Sequence, residues 1–124
     1  MSGPTGPALV VVAGWLLVIV FGGLVLVGAD EPGSAAIFAG VGLVMALWVG
    51  RRPGVAAFVV SLVLGLLHTA EQAAYLGFDI ADARPVTSAL ADGVGLLGGL
   101  LVTVGSVVAL LRRRRPAVMA EPVA

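Results

Sequence analysis

Apolar residues in this chain come in long unbroken runs, without the alternating or helical spacing of an amphipathic element. Short polar segments separate four such runs. A helix needs about 20 residues to cross the hydrocarbon core of a bilayer. The second run is the shortest and takes in Glu31 to Gly33 as its first turn. The pattern therefore predicts four transmembrane helices, over about 8–29, 31–50, 53–77 and 86–111.

Prolines mark the starts of three of these helices. Pro32, Pro53 and Pro85 stand where a run begins, and a first helical turn tolerates proline because its missing N–H would be unpaired there. The connections are short, so consecutive helices should be antiparallel neighbours. We therefore expect an all-α membrane protein: an up-down bundle that forms a single integral membrane domain over 1–124, with a basic tail over 112–124.

The arginines predict the orientation of this bundle. All seven basic residues are arginines, and an up-down path puts six of them on one side with both termini. Short arginine-rich segments stay in the cytoplasm and also contact anionic lipid headgroups. Both termini should then be cytoplasmic in a bacterial plasma membrane. The arginines expected at this face are Arg51, Arg52, Arg112, Arg113, Arg114 and Arg115.

The first apolar run has a rival interpretation as a secretory signal peptide. Val27, Gly28 and Ala29 resemble the small residues of a signal-peptidase site. However, the segment before the run carries no Lys or Arg, and the run is longer than the apolar region of a usual signal peptide. A retained transmembrane helix is therefore favoured.

The composition excludes several kinds of chemistry. With 60% hydrophobic and 11% charged residues, the chain cannot cover a soluble domain with polar surface. The absence of cysteine excludes disulfides, thiol catalysis and iron–sulfur clusters, and one histidine cannot provide a two-histidine haem site. We therefore expect no enzymatic activity, no cofactor, no metal site and no binding of nucleic acid.

Small residues recur at every fourth position of the third and fourth runs, and in the third they extend from Ala57 to Gly77. In lipid, helix association depends on close approach of the backbones, which small residues permit. We expect the third and fourth helices to form the tightest pair, although the same ridges would also suit a homo-oligomer. The expected contact residues are Gly65, Thr69 and Ala73 with Gly95, Gly99 and Thr103.

Ionisable side chains inside a membrane are costly, so they are the candidates for function. His68 and Glu71 lie ~24 and ~29 Å along the third helix from its arginines, and Asp92 lies ~30 Å along the fourth. This shared depth predicts a polar pocket, open toward the outside, formed by His68, Glu71, Gln72 and Asp92. The alternative is that these residues only contact water or headgroups near the interface.

The segment from His68 to Gln72 lies near the outer end of the third helix and precedes a short acidic loop and an apolar fourth helix. This arrangement, over about 62–111, resembles the DoxX-like proteins and related four-helix membrane proteins of high-GC bacteria. Some of these carry two histidines four residues apart at this place. Here Gln72 stands where the second histidine would be, and the resemblance implies no particular activity.

Together these patterns predict a small non-enzymatic polytopic protein of the plasma membrane, a structural or partner-binding component. The alternative is an oligomeric transporter of a small molecule, or a proton-coupled one, that uses the outer polar cluster. Its expected partners are the lipid bilayer and a second protein, which is either another copy of the chain or a different membrane protein.

Overall fold

A computed structural model describes residues 6–28 and 32–120, with side chains over 6–25 and 36–113. Within these residues the chain is helical and contains no strand, which confirms the all-α prediction. Its four helices are α1 (Gly6–Gly28), α2 (Pro32–Arg51), α3 (Val55–Ala81) and α4 (Val86–Ala120).

Three segments of the described chain are long and apolar enough to cross a membrane. They are Gly6–Val25 in α1, Val55–Ala81 in α3 and Val86–Arg113 in α4. The apolar part of α2 that the structure describes, Ala36–Arg51, is shorter. The composition and length of the helices thus fit a membrane protein.

Two helices, α3 and α4, extend by four residues or more beyond the predicted C-terminal boundaries. α3 continues four residues past Gly77 and places Asp79 inside the helix. It ends in a Schellman motif, in which the Arg84 N–H bonds to the Asp79 carbonyl and the Ala83 N–H to the Ile80 carbonyl. α4 continues through the arginines to Ala120, so the predicted basic tail is helical as far as described. Arginine is a strong helix former, so the end of the apolar run is not the end of the helix.

α1 and α4 form the centre of the bundle. α1 packs against α2 and α4, α4 packs against α1 and α3, and α2 touches α3 only sparsely. The predicted close packing of α3 and α4 is present, but α1 packs against α4 and against α2 to a similar extent, so α3 and α4 do not stand out as the tightest pair. The core includes Val11, Trp15, Val18, Met45, Val49, Phe58 and Val102.

Two glycines bring the backbones of α1 and α4 together. A Cβ atom on Gly14 would lie 2.7 Å from the Val102 backbone nitrogen and 2.8 Å from the Gly98 carbonyl oxygen. A Cβ on Gly98 would lie 2.9 Å from the Gly14 carbonyl oxygen. Neither position accepts a side chain without moving a helix, so these glycines set the interhelical distance.

The predicted contact between α3 and α4 is present over part of its length. Gly65 lies against Val102 and Thr103, and Gly99 lies against Thr69. Residue numbers rise along one helix as they fall along the other, so this pair is antiparallel. Gly95 contacts Gln72, but it also contacts Phe21 of α1.

The far end of the α3 ridge does not contact α4. Ala73 is exposed, and a Cβ on Gly77 would have no neighbour within 4 Å. The reason is the helical repeat: each step of four residues rotates by about 40° beyond a full turn. A ridge that begins on the buried face at Ala57 has therefore turned away by Ala73, and the prediction for Ala73 is wrong.

Candidate functional site

The sparse contact between α2 and α3 leaves a cleft on one side of the bundle. Its volume is about 190 Å³, and α1 forms its floor. One wall comes from α2 and the other from α3. The cleft is lined by Trp15, Val18, Ile37, Phe38, Val41, Leu64, Leu67, His68 and Glu71.

Helical spacing explains which residues line the α3 wall. Leu64, Leu67, His68 and Glu71 follow the i, i+3, i+4, i+7 pattern, which puts them on one face of a helix. Ile37 on α2 and Leu67 on α3 are each 65% exposed. The cleft therefore has an open side whose edges are aliphatic, as expected of a surface that faces lipid.

Three aromatic rings join α1, α2 and α3 beside the cleft. The His68 ring packs edge-on against Phe21 at 5.6 Å and against Phe38 at 5.4 Å between centroids, and the two phenylalanines are 5.1 Å apart. Edge-to-face packing at these distances is favourable for aromatic rings. This cluster fixes the position of His68 in the cleft wall.

His68 has one of its two nitrogens committed to the protein. Its side chain is only 7% exposed, and it is hydrogen-bonded to the backbone of Gly95. Its Nε2 atom is buried and has no hydrogen-bond partner in the described part of the chain. Nδ1 is thus the atom bonded to Gly95, and Nε2 stays an unsatisfied atom buried behind the surface of the cleft.

Glu71 supplies the acidic group of the cleft. Its side chain is exposed at the cleft edge, one turn from His68. Among the described residues, the salt bridges all belong to Arg84, so no basic side chain neutralises Glu71. The mouth of the cleft therefore carries an unpaired acidic group.

Gln72 faces away from the cleft, toward α4. It is completely buried, and its Oε1 would lie 3.1 Å from a Cβ on Gly95. Neither its Oε1 nor its Nε2 has a hydrogen-bond partner among the residues the structure describes. A buried amide without partners is unfavourable. Gly95 leaves room for the Gln72 amide, and packing alone does not explain why a polar side chain occupies this space.

Asp92 belongs to a separate acidic site near the loop between α3 and α4. Its carboxyl group lies within hydrogen-bonding reach of Asp79, which is 3% exposed. Arg84 lies 3.4 Å from Asp79 and 3.5 Å from Asp82 through its two terminal nitrogens. Two carboxyl groups this close repel each other unless they share a proton or a cation lies between them. Arg84 pairs with Asp79 and Asp82, and no ion pair joins it to Asp92 in the described part of the chain.

The single pocket expected from His68, Glu71, Gln72 and Asp92 is thus divided. His68 and Glu71 line the cleft, whereas Gln72 faces α4 and Asp92 lies beside Asp79. The prediction that Asp92 joins His68 and Glu71 is wrong, because these two residues line the cleft beside α2, whereas α3 continues past Gly77 and presents Asp79 to Asp92. Asp79 was missed as a buried residue, although it lies two helical turns beyond Gln72 on the same stripe.

The two arginine clusters lie at the same end of the bundle. Arg113 donates a hydrogen bond from Nη2 to the Pro53 carbonyl, which joins the arginine-rich part of α4 to the loop before α3. Arg51, Arg52 and Arg112 are exposed at this end, as is Arg113. The side chains of Arg114 and Arg115 lie outside the described residues.

Comparisons with known proteins give no relative from which a function could be carried over. No protein-family model matches the chain, and comparison with curated proteins and with solved structures finds no significant match. The resemblance to DoxX-like proteins stays a prediction. Any functional assignment must therefore come from the geometry of the cleft.

Proposed function

We propose that this chain is a small, non-enzymatic, multi-pass membrane protein that acts by binding a partner inside the bilayer, through the cleft between α2 and α3. One observation carries the proposal. These two helices barely touch, and the open space between them is lined mainly by apolar side chains, with Glu71 at its edge and no basic partner for Glu71 among the described residues.

Binding is a better explanation of this cleft than catalysis. Its lining residues include one imidazole and one carboxyl group, and the other seven are apolar. A carboxylate beside hydrocarbon is unfavourable without a partner. A partner that brings a donor or a positive charge to Glu71 would remove this penalty while covering the aliphatic edges.

The proposal includes four membrane crossings in an up-down path, with both termini in the cytoplasm of a bacterium. α2 has 20 residues, enough to span about 30 Å when its first turn is included. The contact between Arg113 and Pro53 supports a common side for both arginine clusters, and arginine-rich segments stay in the cytoplasm. The acidic site at Asp79 and Asp92 would then lie near the outer face.

A second candidate function is transport by an oligomer, and a different observation supports it. Buried polar side chains occur along much of the length of α3 and α4: Ser106 near the basic end, Gln72 farther along, and Asp79 near the acidic end. Such series of polar groups line the ion and proton pathways of many membrane proteins. Transport would require protein in liposomes to move protons or a solute, and Asp92→Asn or Glu71→Gln to abolish the movement.

Photocrosslinking from inside the cleft tests the first proposal. A photoreactive amino acid would be placed at Ile37 or Leu67, on the two cleft edges, and the protein crosslinked in its native membrane. Leu9 and Leu97 are matched controls, because they are also large, aliphatic and at least half exposed but do not line the cleft. We expect a defined adduct, a small molecule or a protein, from the cleft positions only. Equal labelling from all four positions would contradict a binding cleft.

A further inference from the structure

The cleft has a definite length along the membrane normal. The Trp15 indole on its floor donates a hydrogen bond to Ser61 of α3, which fixes the level of that ring. Glu71 lies ten residues farther along the same helix, or about 15 Å. An acidic group thus stands at one end of an apolar trough, and an indole ring lies near the other.

The volume of the cleft suits one alkyl chain or one aromatic ring. Its volume of about 190 Å³ is close to that of a cavity of ~150 Å³ that holds a single benzene molecule. Two acyl chains side by side would not fit in this space. The occupant is therefore narrow and apolar over most of its length.

The polar end of the cleft selects for a cation with N–H donors. Glu71 is a negatively charged hydrogen-bond acceptor, and it has no basic partner among the described side chains. His68 lies one turn away, but its Nε2 atom is buried behind the wall of the cleft and does not face a ligand there. The exposed carboxylate of Glu71 is therefore the group that a donor in the cleft can reach.

We propose that the cleft binds a single-chain amphiphile with a protonated primary amine, whose ammonium group pairs with Glu71 and whose chain extends past His68 toward Trp15. This inference rests on the proposed binding function of the cleft and names the class of its ligand. An alcohol lacks the positive charge that Glu71 attracts, and an ionised carboxylic acid carries a negative charge that Glu71 repels.

Quenching of Trp15 fluorescence measures this binding directly. The chain has two tryptophans, so Trp48→Phe leaves Trp15 as the only emitter. The probes are three bromoalkyl compounds of equal length, with a primary amine, a hydroxyl or a carboxylate at the other end. A bromine atom that reaches Trp15 quenches it. In nanodiscs, we expect half-maximal quenching by the amine at a concentration about tenfold lower than by the alcohol, with the acid weakest.

Two variants distinguish the effect of the Glu71 carboxylate from the effect of an acidic residue elsewhere in the protein. Glu71→Gln should abolish the preference for the amine, and because Glu71 is exposed the variant should fold normally, which circular dichroism would verify. Asp82→Asn removes an exposed acid that does not line the cleft and should leave the preference unchanged. Equal quenching by all three probes, or a preference that survives Glu71→Gln, would overturn the inference.

Two further outcomes identify other occupants. Displacement of the bromoalkyl amine by added ethanolamine phospholipid would show that a lipid headgroup is the bound amine, and the single-chain ligand would be rejected. If Ile37 and Leu67 give defined adducts while quenching shows no preference for the amine, the binding function stands and only the ligand class fails. Without adducts at the cleft and without amine preference, both proposals fail.

Discussion

The indole Nε1 of Trp15 donates a hydrogen bond to the Ser61 hydroxyl over 3.1 Å, and both side chains are buried. This bond joins α1 to α3 across the bundle. Ser61→Ala should lower the free energy of unfolding by about 1 kcal/mol, because it leaves the indole N–H unpaired where water cannot reach it. Unfolding of the purified protein in mixed micelles, followed by circular dichroism, measures the loss.

Ser106 provides a control for that measurement. It is as buried as Ser61, but its hydroxyl has no hydrogen-bond partner among the described residues. Ser106→Ala should therefore be neutral or slightly stabilising, because it removes an unsatisfied polar atom. If both alanine variants lose the same stability, the bond from Trp15 contributes nothing beyond packing.

Gly14 and Gly23 lie on the same helix but should respond oppositely to alanine. A Cβ on Gly14 would meet backbone atoms of α4 at 2.7 and 2.8 Å, whereas one on Gly23 would have no neighbour within 4 Å. Gly14→Ala should destabilise the protein by about 1–3 kcal/mol through overpacking. Gly23→Ala should stabilise it by about 0.5–1 kcal/mol, since alanine favours the helix. Thermal unfolding in detergent ranks the two; a stable Gly14→Ala protein would contradict the close approach of α1 and α4.

Gly99 tests the contact between α3 and α4 in the same way. A Cβ at this position would lie 2.5 Å from the Thr69 hydroxyl oxygen and 3.2 Å from the His68 ring. Gly99→Leu should therefore destabilise the bundle more than Leu97→Ala, which truncates a side chain that is 51% exposed. Equal unfolding temperatures for the two variants would mean that Gly99 is not at a helix contact.

Ala83 adopts a left-handed backbone conformation at the end of α3, with φ of 49°. Glycine is the usual residue at this position of a Schellman motif because it has no Cβ to strain. Ala83→Gly should stabilise the protein by about 1 kcal/mol. Ala81→Gly, inside the helix, should destabilise it by about 0.5–1 kcal/mol, so comparing their unfolding free energies tests the turn. A loss of stability in Ala83→Gly would disprove this turn geometry.

The proposed topology makes a prediction for reporter fusions. Alkaline phosphatase, which is active only outside the cytoplasm, should be inactive when fused after Ala124 and active when fused after Asp82. A cytoplasmic reporter such as green fluorescent protein should give the complementary result. Active phosphatase at Ala124 would reverse the orientation that the arginines indicate.

The helical fold could be predicted because unbroken apolar runs have few other structures available to them. The ends of the helices could not, since neither Asp79 nor the arginines after Leu111 interrupt a helix by their own propensity. Of the six expected contact residues, all except Ala73 lie at the contact between α3 and α4. Gly65 and Gly99 lie at the contact, while Ala73 does not, because spacing by fours drifts around a helix of 3.6 residues per turn.

The cleft itself could hardly be predicted from the sequence. Its floor consists of Trp15 and Val18, which are apolar residues in an apolar run and resemble their neighbours. Its existence depends on which helices pack together, and the short loops favoured a contact between α2 and α3 that the structure largely lacks. Only His68 and Glu71 could be picked out, because a polar residue inside an apolar run is conspicuous wherever its helix packs.

The sparse contact between α2 and α3 also divides the molecule into two helical hairpins, α1 with α2 and α3 with α4. They are joined by residues 52–54 and held together by the packing of α1 on α4. Opening the space between α2 and α3 therefore requires a pivot about that interface, with loss of the Trp15–Ser61 bond and of the ring contacts of His68, but neither hairpin has to break. The same division implies that the chain can be cut between Arg52 and Gly54 and the two halves, produced separately, will reassemble.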